Sequence, residues 1–221
     1  MPTAFVDLFT DYSDEWLSGF WVTVRLVVFS FAIAVVVGTL VGAARVAPNR
    51  WVQRLGGVYV EFFRNIPLLV LLFIIFLGAR DNGIAISTWM AGILGLGLYT
   101  AAYVAEVLRS GVFSVSKGHI EASLSLGFTY GETMRRIILP QAFRTVISPL
   151  GSLVIAMIKN SAIIGASIIA LPDLLKVGRV VNSRTFETLG AFFWAGVGYL
   201  ILTILTTIAI RRLEARYAIK R

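Results

Sequence analysis

The chain is predicted to be an all-α integral membrane protein with five transmembrane helices, its N-terminus outside and its C-terminus in the cytoplasm. Three observations carry that prediction. Of 221 residues, 57% are apolar and only 14% charged, with a mean hydropathy of +0.83. The apolar residues fall in runs of about 20 or more, enough to cross a bilayer as helices. Cations gather beside alternate ends of those runs. A bilayer core offers no water to stray backbone groups, so a crossing is a helix or part of a closed barrel, and runs without two-residue alternation exclude the barrel.

Taken in order, the spans are predicted at Phe20 to Ala44, Val58 to Gly78, Thr88 to Leu108, Val146 to Ala170 and Leu189 to Ile210. The second carries Glu61 and Arg64 in its first turns and is interrupted by Pro67, whose missing N–H breaks a helix ladder. Gly38 with Gly42, Gly92 with Gly95 and Gly97, and Gly196 read as positions where helices approach closely. Five Trp residues lie mainly near span ends, as interfacial aromatics do. One domain accounts for the chain: residues 1–18 as an extracytoplasmic segment, 19–212 as the membrane domain and 213–221 as a basic cytoplasmic tail.

Orientation follows from charge. Arg45, Arg50, Arg54 and Arg64 follow the first span, Arg109, Lys117, Arg135, Arg136 and Arg144 the third, and Arg211, Arg212, Arg216, Lys220 and Arg221 the last. The other side holds only Arg80, Lys176, Arg179 and Arg184. The cation-rich side is therefore cytoplasmic. Cytoplasmic loops facing anionic lipid account for most of the net charge of +8, so no nucleic-acid partner is expected. With no cysteine, disulfide, thiol and sulfur-ligated metal chemistry are excluded. The first residues carry Asp7, Asp11, Asp14 and Glu15 but no Lys or Arg, unlike a cleavable signal peptide, so the first helix is expected to be retained.

Between the third and fourth spans lies the polar stretch EASLSLGFTYGETMRRIILP, Glu121 to Pro140. Ser116 is placed to cap a helix from Lys117 to Leu126, and Gly127 offers the left-handed conformation that ends helices. Thr129 with Glu132 three residues on spells a capping box for a second helix, expected to finish before Pro140. Helix, Gly corner, helix and Pro stop make a compact knob suited to seat in a groove of another protein. The competing reading is an amphipathic segment lying on the membrane.

That stretch, written Glu-Ala-x, three residues, Gly, nine residues, Ile-x-Leu-Pro, resembles the loop by which permease subunits of ATP-binding-cassette importers grip their ATPase. FFRNIPLLV from Phe62, AYVAEVLRSGVFSVSKGHIEA from Ala102, LPQAFR from Leu139 and IKNSAIIGASIIALPDLL from Ile158 are similar to the polar amino-acid uptake branch, and the likeness runs over residues 19–212. It implies ATPase-coupling roles for Glu121, Ala122, Ser123, Gly127, Ile137, Leu139 and Pro140. It also implies a bacterial plasma-membrane location, a dimer of ATPase subunits holding ATP and Mg, a second permease subunit, identical or a sister, and a periplasmic or lipid-anchored solute-binding protein. Glutamate, aspartate or glutamine is the favoured cargo. Three positions depart from the pattern: Ser123 where Ala is commoner, His119 where Gln is expected and Asn65 where Gly is frequent.

No GxxxxGK[ST] phosphate loop occurs, so ATP is expected on the partner, with no cofactor or enzymatic chemistry in this chain. Charges inside spans cost about 2.5–3.5 kcal/mol near a helix centre, so Arg25 and Lys159 call for a reason. Lys159, Asn160 and Ser161 read as a polar break lining the translocation path, where they would meet an amino-acid carboxylate. The alternative pairs Lys159 with an acid such as Glu106, or one on a partner permease. Arg25 reads either as a substrate contact or as a side chain snorkelling to headgroups. Two other classes make different demands. An ion-coupled carrier would show acids or His at membrane depth, yet Glu61 and Glu106 lie toward the cytoplasmic ends. A scaffold or channel subunit without transport work would need no Gly corner.

Overall fold

The computed structural model describes residues 2–217, which fold, without strands among them, as helices α1 (Pro2–Asp11), α2 (Ser13–Val46), α3 (Arg50–Asn65), α4 (Leu68–Asp81), α5 (Thr88–Phe113), α6 (Lys117–Ser125), α7 (Tyr130–Thr133), α8 (Leu139–Ala166), α9 (Leu174–Thr185) and α10 (Thr188–Tyr217). Four spans are long and apolar enough to cross a membrane: α2, α5, the continuous stretch Tyr130–Ala166, and α10 to Arg216. The fifth expected span is a bent pair, α3 and α4, turned by 103°. Ile66 (ψ 134°) and Pro67 (ψ 134°) are both extended, and Asn65 Nδ2 donates to the Glu61 carbonyl as α3 ends. Pro67 was expected to interrupt one helix. Two successive extended residues instead turn the chain, because proline pushes its predecessor out of helical geometry.

α2 and α5 form the spine. They approach so closely that a Cβ on Gly38 would fall 2.6 Å from Val104 Cβ, which excludes any larger residue there. At one end of this pair Glu106 of α5 bridges Arg45 of α2 (3.4 Å) and Arg109 of its own helix. The main core gathers Leu26, Leu72, Leu96, Met157, Ile164, Leu171 and Leu174, all nearly inaccessible. α10 covers α8 and α9, with Ile210 filling the space over Gly151. Gly196, expected at a close helix contact, meets nothing within 4 Å.

Two elements have no counterpart in the sequence reading. α1 folds back on α10 through Trp194 Nε1 donating to the Phe5 carbonyl (2.7 Å), and Trp16 Nε1 donates to that of Leu8 (3.3 Å), which buries Trp16. α9 packs across the end of the bundle far from α6 and α7. The predicted tail 213–221 begins as the last turns of α10; Lys220 and Arg221 lie outside the described residues.

Candidate functional site

The Glu121–Pro140 stretch folds as a self-capped elbow. α6 runs from Lys117 to Ser125, with Ser116 extended at its N-cap but its hydroxyl unused as a cap. Gly127 takes φ +84°, its N–H donates to the Leu124 carbonyl (3.0 Å), and the Phe128 N–H donates to that of Ser123 (3.1 Å). This is the left-handed closure that a Cβ disfavours. Thr129 and Glu132 form the expected capping box: the Thr129 N–H donates to Glu132 Oε2 (3.0 Å), and the Glu132 N–H donates to Thr129 Oγ1 (3.3 Å).

Ser123 turns inward. Its hydroxyl donates to the Ile120 carbonyl (2.8 Å), which spends its one proton, so the Thr133 hydroxyl donates to it across the elbow at 2.9 Å. Both side chains are buried, and the pair clamps α6 against α7. His119 Nδ1 meets Gln141 Oε1 at 3.1 Å, a second tie from α6 to the start of α8.

The Pro stop is corrected. The chain does not end a helix before Pro140 but runs from α7 through a π-helical turn, Met134–Ile138, straight into α8. There the Leu139 N–H donates to the Met134 carbonyl five residues back. A π turn widens the helix where the proline ring would meet the carbonyl four residues earlier, so helix and proline coexist. The elbow is thus rigidly continuous with a membrane span. Within the Ile-x-Leu-Pro motif the unspecified residue, Ile138, is the buried anchor; Ile137 is half-buried, and Leu139 and Pro140 are exposed.

Glu121, Ala122 and Gly127 all lie on the exposed surface of the elbow. Beside them stand Leu124, Leu126 (78% exposed) and Tyr130, an apolar tip on a polar segment, with Arg135 and Arg136 alongside and Arg136 stacked over Phe128 at 5.9 Å. Clustered exposed apolar residues rimmed by charge mark a contact surface rather than a solvated loop.

The membrane-depth candidates separate. Asn160 lines a cavity of about 210 Å³ with Tyr99, Thr100, Tyr103, Leu153, Ala156 and Met157. The Tyr99 and Tyr103 hydroxyls lie 3.1 Å apart, and the Arg64 guanidinium sits over the Tyr103 ring at 5.5 Å. Sequence reading missed both tyrosines; their i, i+4 spacing on an apolar helix was the available signal. Ser161 does not join this cavity: it is fully buried and donates to the Ile158 carbonyl (2.7 Å). Lys159 is exposed, and its suggested partner Glu106 is engaged by Arg45 and Arg109, which removes that pairing. Arg25 is exposed on a face of α2 shared with Leu17, Trp21, Val28 and Phe29, away from the residues that line the Asn160 cavity. Among the described residues no cluster of His, Cys, Asp and Glu is arranged to hold a metal.

Comparison with known proteins agrees with this architecture. The chain is 38% identical over 96% of its length to the probable glutamine ABC transporter permease protein GlnM of Bacillus subtilis, of which it covers 97%. It is 36% identical over 97% of its length to the glutamate transport system permease protein GluC of Corynebacterium glutamicum, covering 99% of that chain. A crystal structure of an amino acid ABC transporter with histidines superposes with a TM-score of 0.89 at 29% identity, over 94% of this chain and 96% of that one. Residues 34–219 match the model of the binding-protein-dependent transport system inner membrane component, and the chain is a multi-pass membrane permease that belongs to that family.

Proposed function

We propose that this chain is the permease subunit of an ATP-driven importer of polar amino acids, glutamine or glutamate among them, in a bacterial plasma membrane. The carrying observation is the elbow. It is closed on itself by the Gly127 turn, the Thr129–Glu132 box and the Ser123–Thr133 clamp, its exposed tip presents Glu121 and Leu126, and its far side runs without a break into α8. Such a part transmits rigid-body movement. In this reading it seats in a dimer of ATPase subunits that hold ATP and Mg, so the N-terminus lies outside and the elbow in the cytoplasm. The chain itself performs no catalysis.

The Asn160 cavity supplies the other half. At about 210 Å³ it falls below the roughly 300–1,000 Å³ of drug-sized ligand sites and suits one free amino acid. Asn160 and the tyrosine hydroxyls offer donors and acceptors for the common amino and carboxyl groups, and Arg64 adds positive potential nearby. Lys159, exposed at membrane depth, faces either the cargo or a second permease, since a charge there calls for a partner. A solute-binding protein delivers the amino acid from outside.

The test is co-purification with an ATPase subunit, followed by reconstitution with a solute-binding protein and an uptake panel of glutamine, glutamate, aspartate, histidine and arginine. ATP-dependent accumulation of a polar amino acid is expected. Accumulation driven by an ion gradient without ATP would overturn the reading.

A further inference from the structure

The end of α8 beyond Asn160 is held by a buried acid. Asp173 is fully inaccessible in the connection between α8 and α9. Its Oδ1 accepts the Lys176 N–H (2.9 Å) as the cap of α9, and its Oδ2 accepts the Tyr199 hydroxyl (2.9 Å) from α10. Against α8 the carboxylate fills a notch: a Cβ on Gly165 would fall 1.8 Å from Oδ1. Arg179 of α9 donates to the last carbonyl of α8, Ala166, at 3.1 Å. Thr23 of α2 completes the knot, accepting the Leu174 N–H (3.2 Å) and donating to the Gly19 carbonyl (2.9 Å). One carboxylate thus gathers three helices, with a fourth bonded to the next residue.

The same knot reaches the residue next to Asn160. Ser161 lies beside the Tyr199 side chain, and Ser161 is the residue after Asn160. Gly165 is five residues on, about 7.5 Å along the helix axis. Residues so close on one rigid helix rotate together. A carboxylate pays heavily for burial unless donors hold it, so its placement is defined by these few contacts.

We propose that Asp173, acting through Tyr199 and the Gly165 notch, is the positioning residue that sets the rotation of α8 and so aims Asn160 into the Tyr99–Tyr103 cavity. This rests on the reading of that cavity as part of the substrate path. Tyr199→Phe removes one hydroxyl with almost no change of volume, and Asp173→Asn keeps an oxygen for the α9 cap, whereas Asp173→Ala vacates the notch.

The chain has no cysteine, so a single Asn160→Cys reporter reads the orientation of α8 directly. In the assembled transporter, adding Tyr199→Phe changes the rate of labelling by a small water-soluble maleimide by about 2- to 10-fold, the range that loss of one hydrogen bond commands. Adding Thr23→Val, which loosens α9 from α2 but leaves the carboxylate's contacts to α8 and α10, leaves that rate unchanged. With Asn160 in place, Tyr199→Phe raises the half-saturating concentration of glutamine or glutamate for ATPase stimulation while the maximal rate holds, and Asp173→Asn does so less than Asp173→Ala. If Asp173→Ala fails to assemble, Tyr199→Phe carries the test alone. Wild-type labelling and wild-type half-saturation in Tyr199→Phe would overturn the proposal. Asn160→Ala separates the two readings: no shift in half-saturation with Asn160→Ala sinks the cavity itself, while a shift there without one in Tyr199→Phe sinks only the positioning role.

Discussion

Replacing Gly127 by Ala tests the elbow with little else disturbed. Gly127 sits at φ +84°, and a Cβ there meets nothing within 4 Å, so the substitution makes no clash and fills no cavity. Its whole cost is the backbone penalty of a left-handed L-residue, about 1–2 kcal/mol. At 1.4 kcal/mol per tenfold, that lowers the population of correctly closed elbows relative to open ones by about 5- to 30-fold. Gly131, four residues on in α7, is the internal control: its Cβ also meets nothing within 4 Å, but its backbone is helical, so Ala there carries no left-handed penalty. Titrating the ATPase subunit onto the permease in nanodiscs, with ATP-driven uptake alongside, reads both. Weakened binding and uptake with Gly127→Ala, and no loss with Gly131→Ala, are expected. Equal behaviour of the two variants would refute the claim that the corner's shape matters.

Three further outcomes follow from the same geometry. Thr133→Val removes the donor to Ser123 from a buried pair; it costs about 1 kcal/mol of elbow stability, and a Ser123→Ala/Thr133→Val double-mutant cycle returns a coupling of that order. Gly38→Leu drives a side chain into Val104 and the Ala101 carbonyl, separates α2 from α5 and costs 1–3 kcal/mol or more, read as a lowered Tm in detergent. Burial pushes the Asp173 carboxyl up to about 6 from an ordinary 3.8, so the folded state binds its proton more tightly than the unfolded chain does. Stability from this group is therefore full below about pH 4 and is lost as pH rises through 6, by about 3 kcal/mol in all, and Asp173→Asn flattens that slope in melts between pH 4 and 8.

Much of this molecule is legible in its sequence because membrane helices advertise themselves by length and apolarity. α2, α5 and α10 are visible as uninterrupted runs and α8 as a run crossed by the Lys159–Ser161 polar break, and the helix extensions Ser13 to Gly19 and Arg211 to Tyr217 are not, since those flanks are rich in charged and polar residues. The α3–α4 turn was half visible: Pro67 signals a break, but whether a break kinks or folds depends on packing that composition does not record. α9 went unseen because its cations and short length look like a loop; its Asp173 cap is local, while the ties of Asp173 to Tyr199 and of Arg179 to Ala166 are contacts across the chain. At the elbow, local chemistry was decisive. The Gly127 corner and the Thr129–Glu132 box rest on neighbours within five residues, so they could be read directly. Pro140 misled because proline's rule has an exception, the widened π turn, that only the three-dimensional helix reveals. Of the membrane-depth trio Lys159, Asn160 and Ser161, adjacent positions on a helix point about 100° apart, so one run cannot line one wall.

The most direct measurement of the central claim uses the absence of native cysteine. A single Leu126→Cys at the exposed tip, in permease assembled with its ATPase, should cross-link to that subunit and should lose its reactivity toward a soluble maleimide on assembly. Equal labelling of that position in the lone permease and in the assembled, transport-competent complex, with no cross-link, would contradict the account.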